Sequence, residues 1–268
     1  AGSFQRDEGE ENISVITKPY SLSKYQITRQ QFLDIMGADP SDTEYSSGSM
    51  DDPVQRVNWY HAIAFCNKLS LLEGLTPAYT VEGVNDWADL DYSSIPIERN
   101  EDWNAATCNW GSSGYRLPTE MEWMWAAMGA DQNTREGTMQ GEINKTGYTK
   151  SYPGYGYGAG IDVDDYAWYG WDYCNSDTQT HPVGEKLPNE LGLYDMAGNV
   201  WEWCWDWWYN YPRGIQVDYK GAGSDSFRVQ RGPGWGTNIP CYIVPYRGNT
   251  FPHESSRGCG FRVLRPVQ

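Results

Sequence analysis

From Tyr20 to Met36 a short extended stretch gives way to apolar side chains at helical spacing, with Phe32, Leu33 and Met36 on one face. Thr28 stands at the N-cap position and Gly37 where a left-handed C-cap ends a helix, so the pattern predicts strand then helix. An extended PVQRVNW over 53–59 leads into a second helical segment, about Trp59 to Glu73, with Ala62, Ile63, Phe65, Cys66 and Leu69 at helical spacing and Gly74 beyond it. Between Arg116 and Ala127 a third helix is expected: Thr119 caps it, Glu122 completes a capping box, and Trp123, Met124 and Ala127 carry the apolar stripe. Residues 77–115 hold no sustained period and predict short strands and loops, and 129–166, rich in Gly, Tyr and Asp, predict a long surface excursion. Alternation returns at Val200 to Trp205 after a Gly198-Asn199 turn, which predicts a hairpin. The tail from Arg228 predicts a strand, a long polar loop and a closing strand. No tandem repeat or linker interrupts this run, so residues 20–268 are expected to form one domain with little regular structure. Residues 1–19 open on a polar stretch with Glu8, Glu10 and Glu11 and are expected to be a flexible acidic linker.

Composition narrows the partners. The formal charge of −16 argues against nucleic acid and an anionic membrane surface as partners, since both need a basic patch. No apolar run reaches the length of a membrane span. Fourteen Trp and 20 Tyr against six Phe favour aromatics with a polar handle, which suit a wet binding face and equally an irregular, loop-rich core. The six cysteines, Cys66, Cys108, Cys174, Cys204, Cys241 and Cys259, contain no C-x-x-C pair, which argues against a zinc finger and leaves the redox compartment open. Three scattered histidines, His61, His181 and His253, argue against a His-based iron or zinc centre.

The strings YQITRQQF, PVQRVNWYHAIAFCNKL, YRLPTEMEWMWAA, PVGEKLPNELGLYDMAGNVWEWCWDWW, RGPGW and GFRVLRP, in that order, resemble the formylglycine-generating, sulfatase-modifying domain family over residues 20–266. The resemblance implies an α+β, C-type-lectin-like fold with two main helices flanking twisted β-sheet. Fold alone does not deliver activity. The family's enzymes carry a C-x-x-x-x-C pair that binds copper shortly after the segment matching Arg231–Trp235. Here that stretch reads GTNIPCY, with Cys241 alone and Cys259 the next cysteine. One thiol cannot supply the paired soft ligands, so no catalytic cofactor and no enzymatic activity are expected.

The tail resembles another branch of the family, the variable proteins of diversity-generating retroelements, in which the loop before GFR is randomised by adenine-directed miscopying. An AAC codon altered at its adenines cannot encode Lys, Glu, Gln, Met or Trp. Residues 236–259 contain one of these, Glu254, where the chain's own composition predicts about five; a Gly- and Pro-rich loop also disfavours them. The resemblance implies that Gly236, Thr237, Asn238, Pro240, Cys241, Tyr246, Gly248, Asn249, Thr250, Phe251, Ser255, Ser256, Gly258 and Cys259 form a ligand-binding surface on fixed strands around Trp235 and Phe261. Arg247 and Arg257 are alternatively framework. It further implies export and cell-surface display through a lipid anchor upstream of this chain, with an unknown protein or carbohydrate as ligand. Two rival readings stand beside it: a copper-dependent oxidase acting on a cysteine substrate, and a carbohydrate-binding module of fixed specificity.

GLYDMAGNVWEW matches the enzymes' calcium segment. The resemblance implies a structural calcium held by side-chain oxygens of Asp195 and Glu202 and main-chain carbonyls of Gly198 and Val200, a hard-cation donor set. Without the resemblance, Asp195 and Glu202 read as turn caps.

Overall fold

The computed structural model describes residues 1–7, 9, 11–129, 163–170, 175–237 and 246–267. The expected excursion over 129–166 lies largely outside the described residues. Four α-helices occur among them. Helix α1 (Arg29–Met36) has the Thr28 cap, a reciprocal capping box with Gln31, and Gly37 in the left-handed conformation at φ 75°. Helix α2 (Trp59–Leu72) starts at Asn58, whose side chain accepts from the His61 N–H while His61 Nδ1 accepts from the Asn58 N–H at 3.2 Å. The short α3 (Glu101–Asn104) precedes α4 (Glu120–Ala127), which carries the expected Thr119–Glu122 capping box.

The strands are short and fall into several small sheets. Strands β1 (Gly2–Gln5) and β2 (Ile13–Ile16) pair antiparallel, and β2 runs parallel to β7 (Gln216–Val217). β3 (Tyr20–Leu22) pairs with β11 (Leu264–Pro266), and β4 (Tyr79–Thr80) with β5 (Thr107–Cys108). The central sheet has the order β10-β6-β8-β9, from Cys259–Gly260, Trp201–Trp207, Arg228–Arg231 and Gly248–Thr250.

Two expectations are corrected here. Residues 1–19 are not a loose linker: Phe4 stacks on Trp125 with ring centres 5.8 Å apart, and the buried Arg6 guanidinium donates to the carbonyls of Ile13, Pro212 and Gly214. Burying that many donors on main-chain acceptors fixes the segment to the domain. Nor does Val200 to Trp205 belong to a hairpin. β6 is antiparallel to β8 and parallel to β10, so both of its partners come from later in the chain and the turn before it has no strand on its other side.

Two cores result. One joins α1 and α2 to the sheet through Phe32, Phe65, Trp59, Trp203 and Phe261; the other packs Phe4, Trp123, Trp125 and Met124 of the N-terminal strand and α4 against Cys204 and Val229. Burial of His61 beneath Tyr92, with ring centres 4.8 Å apart, pushes its pKa from 6.5 down to about 4. The unfolded chain therefore takes up this proton first. The stabilising contribution is whole above pH 6.5 and is lost as pH falls through about 4, a loss of about 3 kcal/mol. His61→Gln keeps an acceptor at the capping position but cannot be protonated. It is expected to flatten the fall in unfolding free energy between those pH values, measured by urea titration at several pH values; an unchanged slope would exclude His61 as its source.

Candidate ligand-binding cavity

The start of β6 organises the site. Gly198 and Asn199 both adopt positive φ, 91° and 62°, which reverses the chain immediately before Val200. Gly198 has no room for a Cβ, which would lie 2.5 Å from the Trp168 carbonyl oxygen. Both ends of the 236–259 segment are then pinned here. The Trp201 N–H donates to Gly258 O at 2.7 Å, the Trp235 N–H to Asn199 O at 2.8 Å, and Trp235 Nε1 to Arg257 O at 3.2 Å. Trp235 stacks on Tyr45 at 5.8 Å and 13°, and the Arg257 guanidinium lies 3.8 Å from the centre of the Tyr45 ring.

A cavity of about 780 Å³ opens over these groups, lined by Tyr45, Gly170, Thr178, Trp201, Gly234, Trp235 and Arg257 together with Gly236, Thr237, Ser256 and Gly258. It combines aromatic walls with a cation, hydroxyls and backbone edges, and its size is that of an ordinary ligand site of roughly 300–1,000 Å³. Four of the expected loop positions thus meet in one concavity. Ser255 is exposed beside them, and the Tyr246 ring, 38% exposed, tilts against Trp201 at 5.8 Å.

The remaining positions separate. Asn249 is exposed on β9, while Thr250 donates its hydroxyl hydrogen to Glu254 at 2.7 Å. Gly248 lies against Trp201, where a Cβ would meet the ring at 2.8 Å, so a side chain here displaces that wall. Phe251 points elsewhere: it packs on Phe227 at 4.4 Å and lines a small separate cleft with Arg99 and His253. Cys259 leaves the expected surface altogether. It is buried in β10, accepts from Gln230 Nε2 at 2.9 Å, and burial pushes its thiol well above the usual range. Asn238, Pro240 and Cys241 lie outside the described residues.

Arg247 is framework. Its guanidinium donates to both Glu120 oxygens, at 2.6 and 2.9 Å, and sits over the Tyr211 ring. Tyr45, Gly170 and Thr178 were not foreseen in the cavity wall; they sit in polar, aperiodic segments that carry no local signal. Arg257 was foreseen only as one alternative.

Behind the cavity, the 194–202 turn closes on a polar knot. Gln26 Nε2 lies 3.0 Å from Val200 O and Glu202 Oε1, 3.2 Å from Asp195 O and 3.3 Å from Gly198 O. Arg262 grips Glu202 with two donors at 2.6 and 2.7 Å, and Trp123 Nε1 donates to Glu202 Oε2 at 2.7 Å. The Asp195 carboxylate accepts from the Gly184 N–H at 2.9 Å through Oδ2, while its buried Oδ1 has no hydrogen-bond partner among the described residues; burial raises its pKa to about 6.

The chain matches the sulfatase-modifying factor enzyme 1-like domain over residues 1–267. It belongs to this family. The match includes the N-terminal strands. Among solved structures, Treponema denticola variable protein 1 superposes with a TM-score of 0.81 at 35% identity, covering 100% of this chain and 92% of that one. A curated relative, the chaperone protein LppX of Paenibacillus barcinonensis, is 32% identical over 94% of this chain and 82% of its own length. The formylglycine-generating enzyme of Streptomyces coelicolor is 34% identical over 60% of this chain, which spans 49% of that enzyme. The fold is accordingly the C-type-lectin-like α+β fold of the formylglycine-generating type.

Set against the family's copper pair and calcium segment, both regions differ in this chain. Cys259, the next cysteine after Cys241, is a protonated core thiol, and a thiolate is what a soft metal or a nucleophilic role requires. Three of the four oxygens implied for calcium converge, from the Glu202 carboxylate and the Gly198 and Val200 carbonyls, but Asp195 contributes its main-chain carbonyl instead of its carboxylate, and Gln26 Nε2 stands among them. Calcium takes six to eight oxygens at roughly 2.3–2.6 Å. The one carboxylate present is already held by a guanidinium, an indole and an amide, so the residues here do not fit the ion.

Proposed function

We propose that this chain is a non-enzymatic ligand-binding protein, displayed on a cell surface through a lipid anchor upstream, whose loop face around the Trp201–Trp235 cavity takes a protein or carbohydrate ligand and is diversified by a retroelement. The observation that carries the proposal is the likeness to a variable protein over the whole of this chain, joined to a cavity that Gly236, Thr237, Ser256 and Gly258 all line. The division of labour is physical. Tyr45, Trp201 and Trp235 are held by stacking and main-chain hydrogen bonds and give fixed apolar contact. The rim residues can change without touching the core, as in a paratope. Among the described residues no helix is long and apolar enough to cross a membrane. The net charge of −16 disfavours nucleic acid as a ligand.

Sequencing the DNA beside the gene tests diversification. A near-copy of the segment encoding residues 231–262, differing only at template adenines and next to a reverse transcriptase, is expected. Its absence would return the cavity to a binding module of fixed specificity. Formylglycine formed on a cysteine peptide supplied with copper and oxygen would overturn the non-enzymatic reading.

A further inference from the structure

We infer that the turn carrying Asp195, Gly198, Val200 and Glu202 is closed by the chain's own donors, Gln26 and Arg262, and that these replace the divalent cation, so the wall behind the cavity is metal-independent. The inference does not depend on what the cavity binds.

Three observations converge. The Gln26 amide nitrogen occupies the space a cation would need, 3.0–3.3 Å from one carboxylate oxygen and three main-chain carbonyls. The charge is already balanced: the Arg262 guanidinium, itself fully buried, neutralises Glu202 and also donates to the carbonyls of Tyr194 and Asp195 at 2.9 and 3.2 Å. A divalent ion inserted beside it would face a cation across a few ångströms of low-dielectric interior. Finally, the second carboxylate is partly engaged elsewhere: Asp195 Oδ2 accepts from the Gly184 N–H, and its buried Oδ1 is not among the oxygens that meet Gln26 Nε2.

The orientation of the Gln26 amide is the decisive detail. With Nε2 facing the oxygens, donors meet acceptors and Gln26 Oε1 is left without a hydrogen-bond partner. Reversed, Oε1 would face four other oxygens, an arrangement that only an intervening cation makes stable. The two orientations therefore make opposite predictions about metal. The knot also has a topological role. Gln26 precedes α1 and Arg262 lies between β10 and β11, so the early and late parts of the chain are tied to the turn that positions Trp201.

The test uses the purified chain, dialysed with and without chelator, with metal content measured by plasma mass spectrometry and melting followed in chelator, calcium and magnesium. Metal far below one equivalent is expected, with melting temperatures that agree within about 1 °C, since a ligand bound only by the folded state would raise them. Stoichiometric calcium retained through dialysis, or melting lowered by chelator and restored by calcium, overturns the inference. Gln26→Leu removes the donor and leaves buried carbonyls unpaired. Its melting temperature is expected to fall by about 5 °C or more and not to recover in millimolar calcium. Recovery to the native value in calcium would show that the oxygens form a cation site. If this variant does not fold, the chelation result on the native chain decides alone.

Discussion

Glu202→Ala is expected to destabilise the fold by about 3–5 kcal/mol, the cost typical of stranding one half of a buried ion pair. Glu202 is fully buried and serves Arg262 twice, Trp123 once and Gln26 once, with no water-facing atom to take up a lost partner. Removing the carboxylate leaves a guanidinium in the core, and that uncompensated charge accounts for most of the loss. Urea unfolding followed by tryptophan fluorescence measures it; a change under about 1 kcal/mol would show that the pair is not a determinant of stability. A paired replacement separates the two terms. Glu202→Met with Arg262→Met removes both charges, so the double variant is expected to be more stable than Glu202→Ala despite carrying one substitution more.

How much of this was legible in the chain follows from how local each signal is. The α1 and α4 boundaries were readable because Thr28 with Gln31, and Thr119 with Glu122, close reciprocal hydrogen bonds within one turn. The N-terminal strands were not. Their charge-rich connection dominated the composition, while β7, which completes their sheet, lies about 200 residues on in the sequence. The hairpin expected at β6 failed for the same reason. A turn of two positive-φ residues is visible locally, but the parallel pairing of Trp201 with Cys259 is decided by the far end of the chain.

The candidate site shows the same division. The resemblance located the loop, and Gly236, Thr237, Ser256 and Gly258 share one cavity with Trp235. It could not separate Phe251 or Cys259 from them, because facing inward or outward is settled by Phe227, just before β8, and by Gln230 on β8. The knot was half readable: its acceptors stand in one string, whereas its donors are some 170 residues earlier and 60 later, so a sequence match supplied a cation where the fold supplies an amide.

Glu120→Ala should carry a comparable penalty, about 3–5 kcal/mol, and should also loosen the far end of the loop. This carboxylate starts α4, is buried, and holds Arg231 at 2.6 Å and Arg247 at 2.6 Å, with the Tyr211 hydroxyl donating to it at 3.0 Å. Arg231 in turn donates to the Tyr246 carbonyl at 3.0 Å, so one acid on a helix fixes residues 246 and 247 just where the loop returns to β9. A second readout distinguishes this electrostatic role from mere packing. Asp206, buried beside Glu120, has its pKa raised to about 8, first by burial and then by the Glu120 charge. A raised value means that stability falls as pH rises from the ordinary 3.8 to about 8, because over that range the unfolded chain has released a proton that the folded state still holds. Without Glu120 the Asp206 value should fall, shrinking that loss between pH 3.8 and about 8 even as overall stability drops. Carboxyl-carbon NMR titration of Asp206 in the native chain and in the isosteric Glu120→Gln variant checks the shift. An unmoved Asp206 would show that the Glu120 charge does not raise its pKa and would remove that coupling between α4 and β6 as a part of how the loop is held.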